Sequence, residues 1–260
     1  MANIENIVKV MNFHALLRVD KSKKKAEKYY ELEKKLKKVI CEIYYNKNLT
    51  LDKKIIFEKN DGDIINIYIG NDLGFCGNFN SLILNSLKKD KTSKKIIIGK
   101  KITYVDDNTL FSLEKENFEK DFVKIQELLY NYIIEKRLKT VNIIYNHYYN
   151  ANEIKYVTKT IFPINLEKTD DLNLNEDFVA ETSINKMLSS LLAHYICYEV
   201  KIAEANSRAS ENIMREKITH EAKTKIAKIN QEKELTERKE KKEKNFKKQL
   251  GNYRKGEEKE

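Results

Sequence analysis

Residues 4–45, IENIVKVMNFHALLRVDKSKKKAEKYYELEKKLKKVICEIYY, contain neither glycine nor proline and place an apolar or small residue at every third or fourth position. The series runs Ile4, Val8, Met11, Ala15, Val19, Ser22, Ala26, Tyr29, Leu32, Leu36, Val39 and Ile43. One face of an α-helix keeps such a stripe for about six heptads. About 42 residues at 1.5 Å each span roughly 60 Å. A stripe of that length cannot be buried against a compact domain alone, so it requires a helical partner.

The carboxyl-terminal third supplies one. A helix opening at Thr182 or Ser183, either a suitable N-cap, carries Ile184, Met187, Leu188, Leu191, Leu192, Tyr195, Ile196 and Val200. It continues through Ala205, Ala209, Ile213, Ile218, Ala222, Ile226 and Ile229, with no helix breaker before Gly251. Unbroken, it would be about 70 residues and about 100 Å long. Small Ala205, Ala209 and Ala222 allow two helices to approach closely. The expectation is an antiparallel coiled coil between the chain's own ends; a homodimeric coiled coil is the alternative. Beyond Ile229 the pattern fades into TERKEKKEKNFKKQLGNYRKGEEKE. This reads as a solvated helix laced with i,i+4 ion pairs that frays into a tail. A polybasic contact is the other reading of the same run.

Between the ends the period changes from helix to strand. Lys54–Glu58 and Asp63–Gly70 (DIINIYIG) read as strands around a turn at Asn60-Asp61-Gly62, and Lys95–Gly99, Lys101–Val105, Val141–Tyr145 and Glu153–Ile164 as further strands. Helices are expected over Asn80–Leu87 and Leu113–Leu138. Alternating strands and helices imply a sheet with helices packed on it. The fold class is therefore an α/β domain inserted between long N- and C-terminal helices that form an antiparallel coiled coil. The expected domains are an N-terminal coiled-coil helix at 1–48, an α/β base domain at 49–181, a C-terminal coiled-coil helix at 182–250 and a charged disordered tail at 251–260.

Composition narrows the functional classes. The 260 residues include only seven glycines and one proline, Pro163, which argues against an all-β protein of many tight turns. A net charge of +10 suggests an anionic partner: nucleic acid, an acidic protein surface or an anionic membrane. Three cysteines, Cys41, Cys76 and Cys197, are an odd number without close pairing, as expected in a reducing compartment. No apolar run reaches the roughly 18 residues of a membrane span. The amino terminus, broken by Glu5, Lys9 and Arg18, makes a poor signal peptide, so a cytoplasmic chain is expected.

The one stretch with chemical potential is Gly74-Phe75-Cys76-Gly77-Asn78-Phe79-Asn80, between a strand and a helix. Glycine there permits positive φ, and a helix N-terminus favours anions. It matches neither dinucleotide nor P-loop spacing, so Gly74, Cys76, Gly77 and Asn80 read as a structural turn. Nothing places His14, His147, His194 or His220 beside Cys76 as a base, and these histidines lack metal-ligand spacing. Asp170-Asp171 reads as a loop. The residues define no catalytic group, no metal site and no cofactor site on this chain.

Five segments in order resemble the γ subunit of F-type ATP synthases, the rotary central stalk. The family's glycine turn is D-R-G-L-C-G-G-L-N; here it reads Asp72-Leu73-Gly74-Phe75-Cys76-Gly77-Asn78-Phe79-Asn80. Ile7-Val8-Lys9-Val10-Met11-Asn12-Phe13-His14-Ala15-Leu16 is similar to the family's I-T-K-A-M-x-M-V-A-A. Ser210-Glu211-Asn212-Ile213-Met214-Arg215 matches S-E-x-x-x-R, Ile144-Tyr145-Asn146 resembles I-V-Y-N, and Ile161-Phe162-Pro163-Ile164 falls where the family has L-L-P-L.

The resemblance implies a shaft, one copy per ring, inside a hexameric ring of α- and β-like ATPase subunits. It also implies an ε-like subunit and a membrane rotor or other output complex as partners. Catalysis, with ATP, ADP and Mg, would belong to partner subunits, and the complex would sit peripherally at the cytoplasmic face of the membrane. No nucleic acid is implied. By position, Lys9, Met11, Glu211 and Arg215 would contact the ring. Departures from the pattern are a first helix that begins about 15–20 residues late, a charged run at Arg238–Lys242 in place of N-x-A-R-Q, and Glu216–Lys223 in place of a methionine-rich stretch with A-T-D-N. They point to a divergent paralogue, a specialised hydrolytic motor rather than a standard synthase, with its output, an ion rotor or a motility-linked device, left open. Two other classes make distinct expectations: a basic coiled-coil scaffold binding nucleic acid would show steep salt dependence, and an enzyme built on the glycine turn would bind nucleotide in isolation.

Overall fold

In the computed structural model, residues 2–45, 62–135, 137–166 and 183–257 are described. The strand expected at Lys54–Glu58, most of the turn at Asn60-Asp61-Gly62, Asp170-Asp171 and the Thr182 cap lie outside them. The chain divides into two compact units: the continuous segment Ala15–Arg215, and a smaller one built from the two ends, Met1–His14 with Glu216–Glu260.

The larger unit is organised by a five-stranded sheet. Its strands are β1 (Asp63–Ile69), β2 (Lys94–Ile98), β3 (Thr109–Leu113), β4 (Leu138–Asn150) and β5 (Glu153–Phe162). The order is β3-β2-β1-β4-β5, with the first four parallel and β5 antiparallel to β4. Among the described residues the helices are α1 (Ala2–Tyr45), α2 (Ser81–Lys89), α3 (Phe118–Ile134) and α4 (Ile184–Glu257). A 3-10 turn at Lys115–Asn117 leads into α3.

Side-chain alternation along the strands divides the core into two layers. Ile65, Ile67, Ile69, Ile96, Ile98, Val141 and Ile143 face α3, the end of α1 and residues 188–203 of α4. On the opposite face Tyr68, Ile97 and Ile144 meet Ile83 and Leu87 of α2. Because α4 is wrapped by the domain here, it is buried almost all round from Leu188 to Ile213, where a surface helix would keep a single apolar stripe.

Three boundaries differ from the sequence expectation, each for a local reason. Lys101–Val105 is not a strand: Lys101 N–H is spent on the Asn71 carbonyl (3.0 Å) and Ile102 N–H on that of Gly99 (3.1 Å). The strand forms instead at Thr109–Leu113, after a turn in which Thr109 and Asp106 bond to each other. The helix expected over Leu113–Leu138 is shorter, because its first apolar residue closes β3 and its last opens β4.

Within this unit α1 and α4 run antiparallel. The ring of Tyr29 lies 6.1 Å from that of Tyr198, and Val19 packs with Ala209 and Ile213. Ala15, Val19, Ser22 and Ala26 are buried as the stripe requires, but Val39 is 38% exposed and Ile40 is buried beside Ile43. A straight helix drifts about 20° per heptad against a 3.5-residue repeat, which moves the buried face by one position over this length.

In the smaller unit the same antiparallel sense holds. Asn12 Nδ2 donates to the Glu216 carbonyl (3.1 Å) and to Thr219 Oγ1 (3.2 Å), and Asn230 Nδ2 reaches Glu5 (3.4 Å). From His220 onward α4 is largely exposed and carries the i,i+4 pairs Glu234–Arg238 and Glu243–Lys247. The helix passes through Gly251 to Glu257, where a disordered tail was expected.

A polar row crosses the α2 face of the sheet. Thr160 donates to Asn142 (2.7 Å), Asn142 to Asn66 (2.9 Å), and Asn66 to Asp90 (2.7 Å), which also accepts from Tyr68 (2.9 Å) and Ser93. Burial alone would raise the Asp90 carboxyl, but the bonds from Ser93, Asn66 and Tyr68 outweigh it and hold the group at about 2 against an ordinary 3.8. With the folded pKa depressed, its stabilisation is complete above pH 3.8 and is lost as pH falls through about 2. Asp90→Asn should flatten that acid limb, measured as urea midpoints at stepped pH, while leaving the neutral-to-alkaline profile unchanged in shape.

Candidate functional site

The parallel strands leave the centre of the sheet in two directions, β1 to β2 on one side and β3 across to β4 on the other. The crevice at the carboxyl ends of β1 and β4 is thus a topological switch point, where open α/β sheets usually take ligands. Here that crevice receives the glycine turn from one side and α4 from the other.

The turn closes on itself first. Asn71 N–H donates to Asn80 Oδ1 (3.2 Å), Asn80 Nδ2 returns a bond to Asn71 Oδ1, and Asn71 Nδ2 donates to the Leu73 carbonyl (2.9 Å). Phe75 (φ +60°) and Gly77 (φ +54°) both lie in the left-handed region, easy for glycine and unusual for a bulky residue. Cys76 between them is buried, its sulfur within 3.4–3.7 Å of the carbonyls of Gly74, Leu73 and Glu211.

That geometry points the amides of Asp72 and Leu73 outward together, and they bind an anion. The anion is Glu211 of α4: its Oε1 accepts both N–H groups, at 2.9 and 2.6 Å. Its Oε2 accepts from Lys115 Nζ at 2.9 Å, and Lys115 also donates to Ser207 (3.1 Å). Glu211 is 1% exposed and Lys115 2%. Two charges taken from water are tolerable only with such fixed partners.

Neighbouring α4 residues make parallel attachments. Arg208 donates to the Lys115 carbonyl (2.7 Å) while pairing with Glu204 (2.6 Å), and Ser210 donates to the Asn146 carbonyl (2.9 Å). Asn146 in turn bonds the Phe79 carbonyl (2.8 Å). One stretch of α4 is therefore fastened to the turn after β1, the 3-10 turn before α3 and Asn146 within β4. A cleft of about 320 Å³ runs beside it, with Arg18 and Lys21 of α1 on its wall.

Burial pushes the Cys76 thiol up to about 11, with the Glu211 charge adding to the rise and Arg215 and Lys115 opposing it. Such a thiol is a poor nucleophile at neutral pH. A second charged cluster, Lys159 bonded to both Glu199 oxygens (2.8 and 2.7 Å) with Tyr195 at 3.3 Å, joins β5 to α4. Among the described residues no group of three His, Cys, Asp or Glu side chains is placed to hold a metal. No helix among them is long and apolar enough to cross a membrane.

The residues singled out by sequence thus fall into two places. Gly74, Cys76, Gly77 and Asn80 form the turn, and Glu211 is brought onto it, with Arg215 one helical turn further along α4. Lys9, exposed and ion-paired with Glu5 (2.6 Å), and half-buried Met11 lie on α1 in the smaller unit. Sequence reasoning missed Lys115, Ser207, Arg208 and Asn146. Ser207, Ser210 and Glu211 lie in a stretch that also carries Glu204, Asn206, Arg208 and Asn212, so their polarity alone did not single them out. Lys115 was no better marked, being one of 50 basic residues.

A sheet domain carried between two long helices, one of them bolted through the ligand crevice, is the build of a mechanical stalk subunit. Residues 1–244 match the family described as ATP synthase. The Lawsonia intracellularis ATP synthase gamma chain is 24% identical over 81% of this chain and 78% of its own. The corresponding Mycoplasma mobile protein is 30% identical over 66% of this chain and 65% of its own. Among solved structures, the Tetrahymena thermophila mitochondrial ATP synthase central stalk/c-ring has a chain that superposes with a TM-score of 0.56 at 18% identity, covering 83% of this chain and 99% of that one. The chain belongs to the ATP synthase γ family, the non-catalytic central-stalk subunit of a rotary ATPase.

Two outcomes test the site. Lys115→Ala leaves the Glu211 charge buried without its partner and should cost about 3–5 kcal/mol of stability in chemical denaturation. Cys76 should resist alkylation at pH 8 in the native chain and react once denaturant opens the turn.

Proposed function

We propose that this chain is the shaft of a rotary ATPase whose ring of alternating α- and β-like subunits encloses the paired ends of α1 and α4. The observation that carries this reading is the exposed apolar surface of α1 in the smaller unit. Ile4, Ile7, Val10 and Phe13 are 58, 54, 55 and 59% exposed. Steps of three residues turn each side chain about 60° from the last, so these four large apolar groups follow a ridge winding about halfway round the helix, on a chain that is 35% charged. A greasy bearing surface of that kind is suited to sliding contact inside a ring. Lys9 and Met11 flank the ridge, and Arg215 offers a cation to an acidic loop of a β-like subunit. Glu211, expected at the ring by position, is instead buried against the Asp72 and Leu73 amides and Lys115, where it holds the turn and presents no surface to a ring.

ATP, ADP and Mg belong, in this reading, to the ring, with one copy of the shaft in each. The α/β domain faces an ε-like subunit and a rotor at the cytoplasmic side of the membrane. Co-purification of the tagged chain from its native cell, with mass spectrometry and ATPase assay, tests the assignment. Recovery of α- and β-like subunits with hydrolysis at one shaft per ring supports it. Recovery with nucleic acid, or as a lone homodimer, overturns it. The accompanying proteins distinguish a proton rotor from a motility-linked output. Phe13→Asp should strip ring subunits from the purified material, while an exposed substitution of this kind shifts the isolated chain's stability by only about 0.5 kcal/mol.

A further inference from the structure

The larger unit ends at Arg215, four residues past Glu211. Between Glu204 and Glu211 a run of polar contacts ties α4 to the turn, the α3 approach and β4. Farther back, residues 188–203 pack by apolar contacts against the sheet and α3, with the Glu199–Lys159 pair as a polar tie to β5. Apolar contacts resist separation but are not directional, so a helix gripped by them alone can slip about its own axis. Hydrogen bonds from a single helix to two loops and to a strand between them in space fix its rotation as well as its depth.

We propose that the buried Glu211–Lys115 clamp, with the Asp72 and Leu73 amides and Ser207, is the torsional joint that passes twist from α4 into the α/β domain. The inference rests on the shaft reading above. Lys115 and Glu211 are positioning residues, acting through α4 and the glycine turn and touching no substrate. Twist applied to α4 from its carboxyl-terminal side reaches this clamp before it reaches the Glu199–Lys159 pair. A buried pair suits such a joint, because rotating α4 would draw the carboxylate off two amides and an ammonium at once, in a site where water cannot replace them.

The test uses the assembled complex, with the ring immobilised and a nucleotide analogue that arrests hydrolysis. A bead is attached through a single cysteine introduced as Asn152→Cys on the exposed β4–β5 turn; the three native cysteines are buried. Thermal angular fluctuation of the bead reports torsional stiffness between ring and domain. The double variant K115M/E211Q removes both charges while keeping the lysine's bulk and an oxygen for the turn amides. It should raise angular variance about twofold or more, as a locally loosened unit does, with ring assembly and ATP hydrolysis retained. Lys115→Arg should restore stiffness, a rescue that a change in overall stability would not produce. Ser207→Ala, a milder lesion, should give an intermediate rise. Unchanged variance in both K115M/E211Q and Ser207→Ala overturns the joint, whereas failure of even the unmutated chain to recruit a ring overturns the shaft reading instead.

Discussion

A carboxylate taken out of water must be met by donors that cannot move away, and at Glu211 this constraint organises the centre of the molecule. Two amides are needed on one side, so the turn after β1 must present them together, with Phe75 and Gly77 in left-handed conformations to close it. A cation is needed on the other, so Lys115 is held at the 3-10 turn before α3 with its own carbonyl tied by Arg208. Satisfying one buried charge thereby fixes the register of α4 against two loops. Replacing such a pair with apolar side chains often leaves stability unchanged or improved. Its presence is accounted for by geometry: it permits one rotational setting of a helix that apolar packing alone would leave free to turn.

The architecture was legible because period and length survive in sequence even where identity has drifted. The stripe from Ile4 to Ile43 and its counterpart from Ile184 to Ile229 required long partnered helices, and the β-branched runs DIINIYI and KKIII, with alternating faces, required a sheet. What could not be read were the places where a hydrophobic residue serves either period. Leu113 and Leu138 fit a helix by spacing and close or open a strand in the fold, because hydrogen bonding across the sheet decides between two patterns that side chains leave equal. Lys101–Val105 failed similarly: its peptide groups are claimed by the turn after β1.

The site was half legible. The residues Gly74, Cys76, Gly77 and Asn80 read as a structural turn before a helix N-terminus, which favours anions, and Ser210 and Glu211 were marked by the resemblance to S-E-x-x-x-R. Nothing in one dimension said that the anion for the turn would arrive from 138 and 139 residues away on the same chain. Asn12 was hidden for a related reason. It sits beside the apolar stripe, where an asparagine costs stability, and its bonds to Glu216 and Thr219 show that it sets the register of the smaller unit's helix pair.

The position of the clamp explains how a ligand-binding type of sheet comes to work as part of a shaft. In open α/β sheets the switch-point crevice is available because the loops at the carboxyl ends of the strands part there, exposing backbone amides suited to phosphate or carboxylate. Here those amides are permanently engaged by a side chain of α4, and Ser210 bonds the neighbouring strand at Asn146. The helix is in effect the domain's own bound ligand, recognised by the same chemistry and unable to dissociate because it is part of the chain. Binding energy that another protein would direct at a substrate is directed here at holding an axle, and the directional contacts that would confer specificity confer rotational rigidity instead.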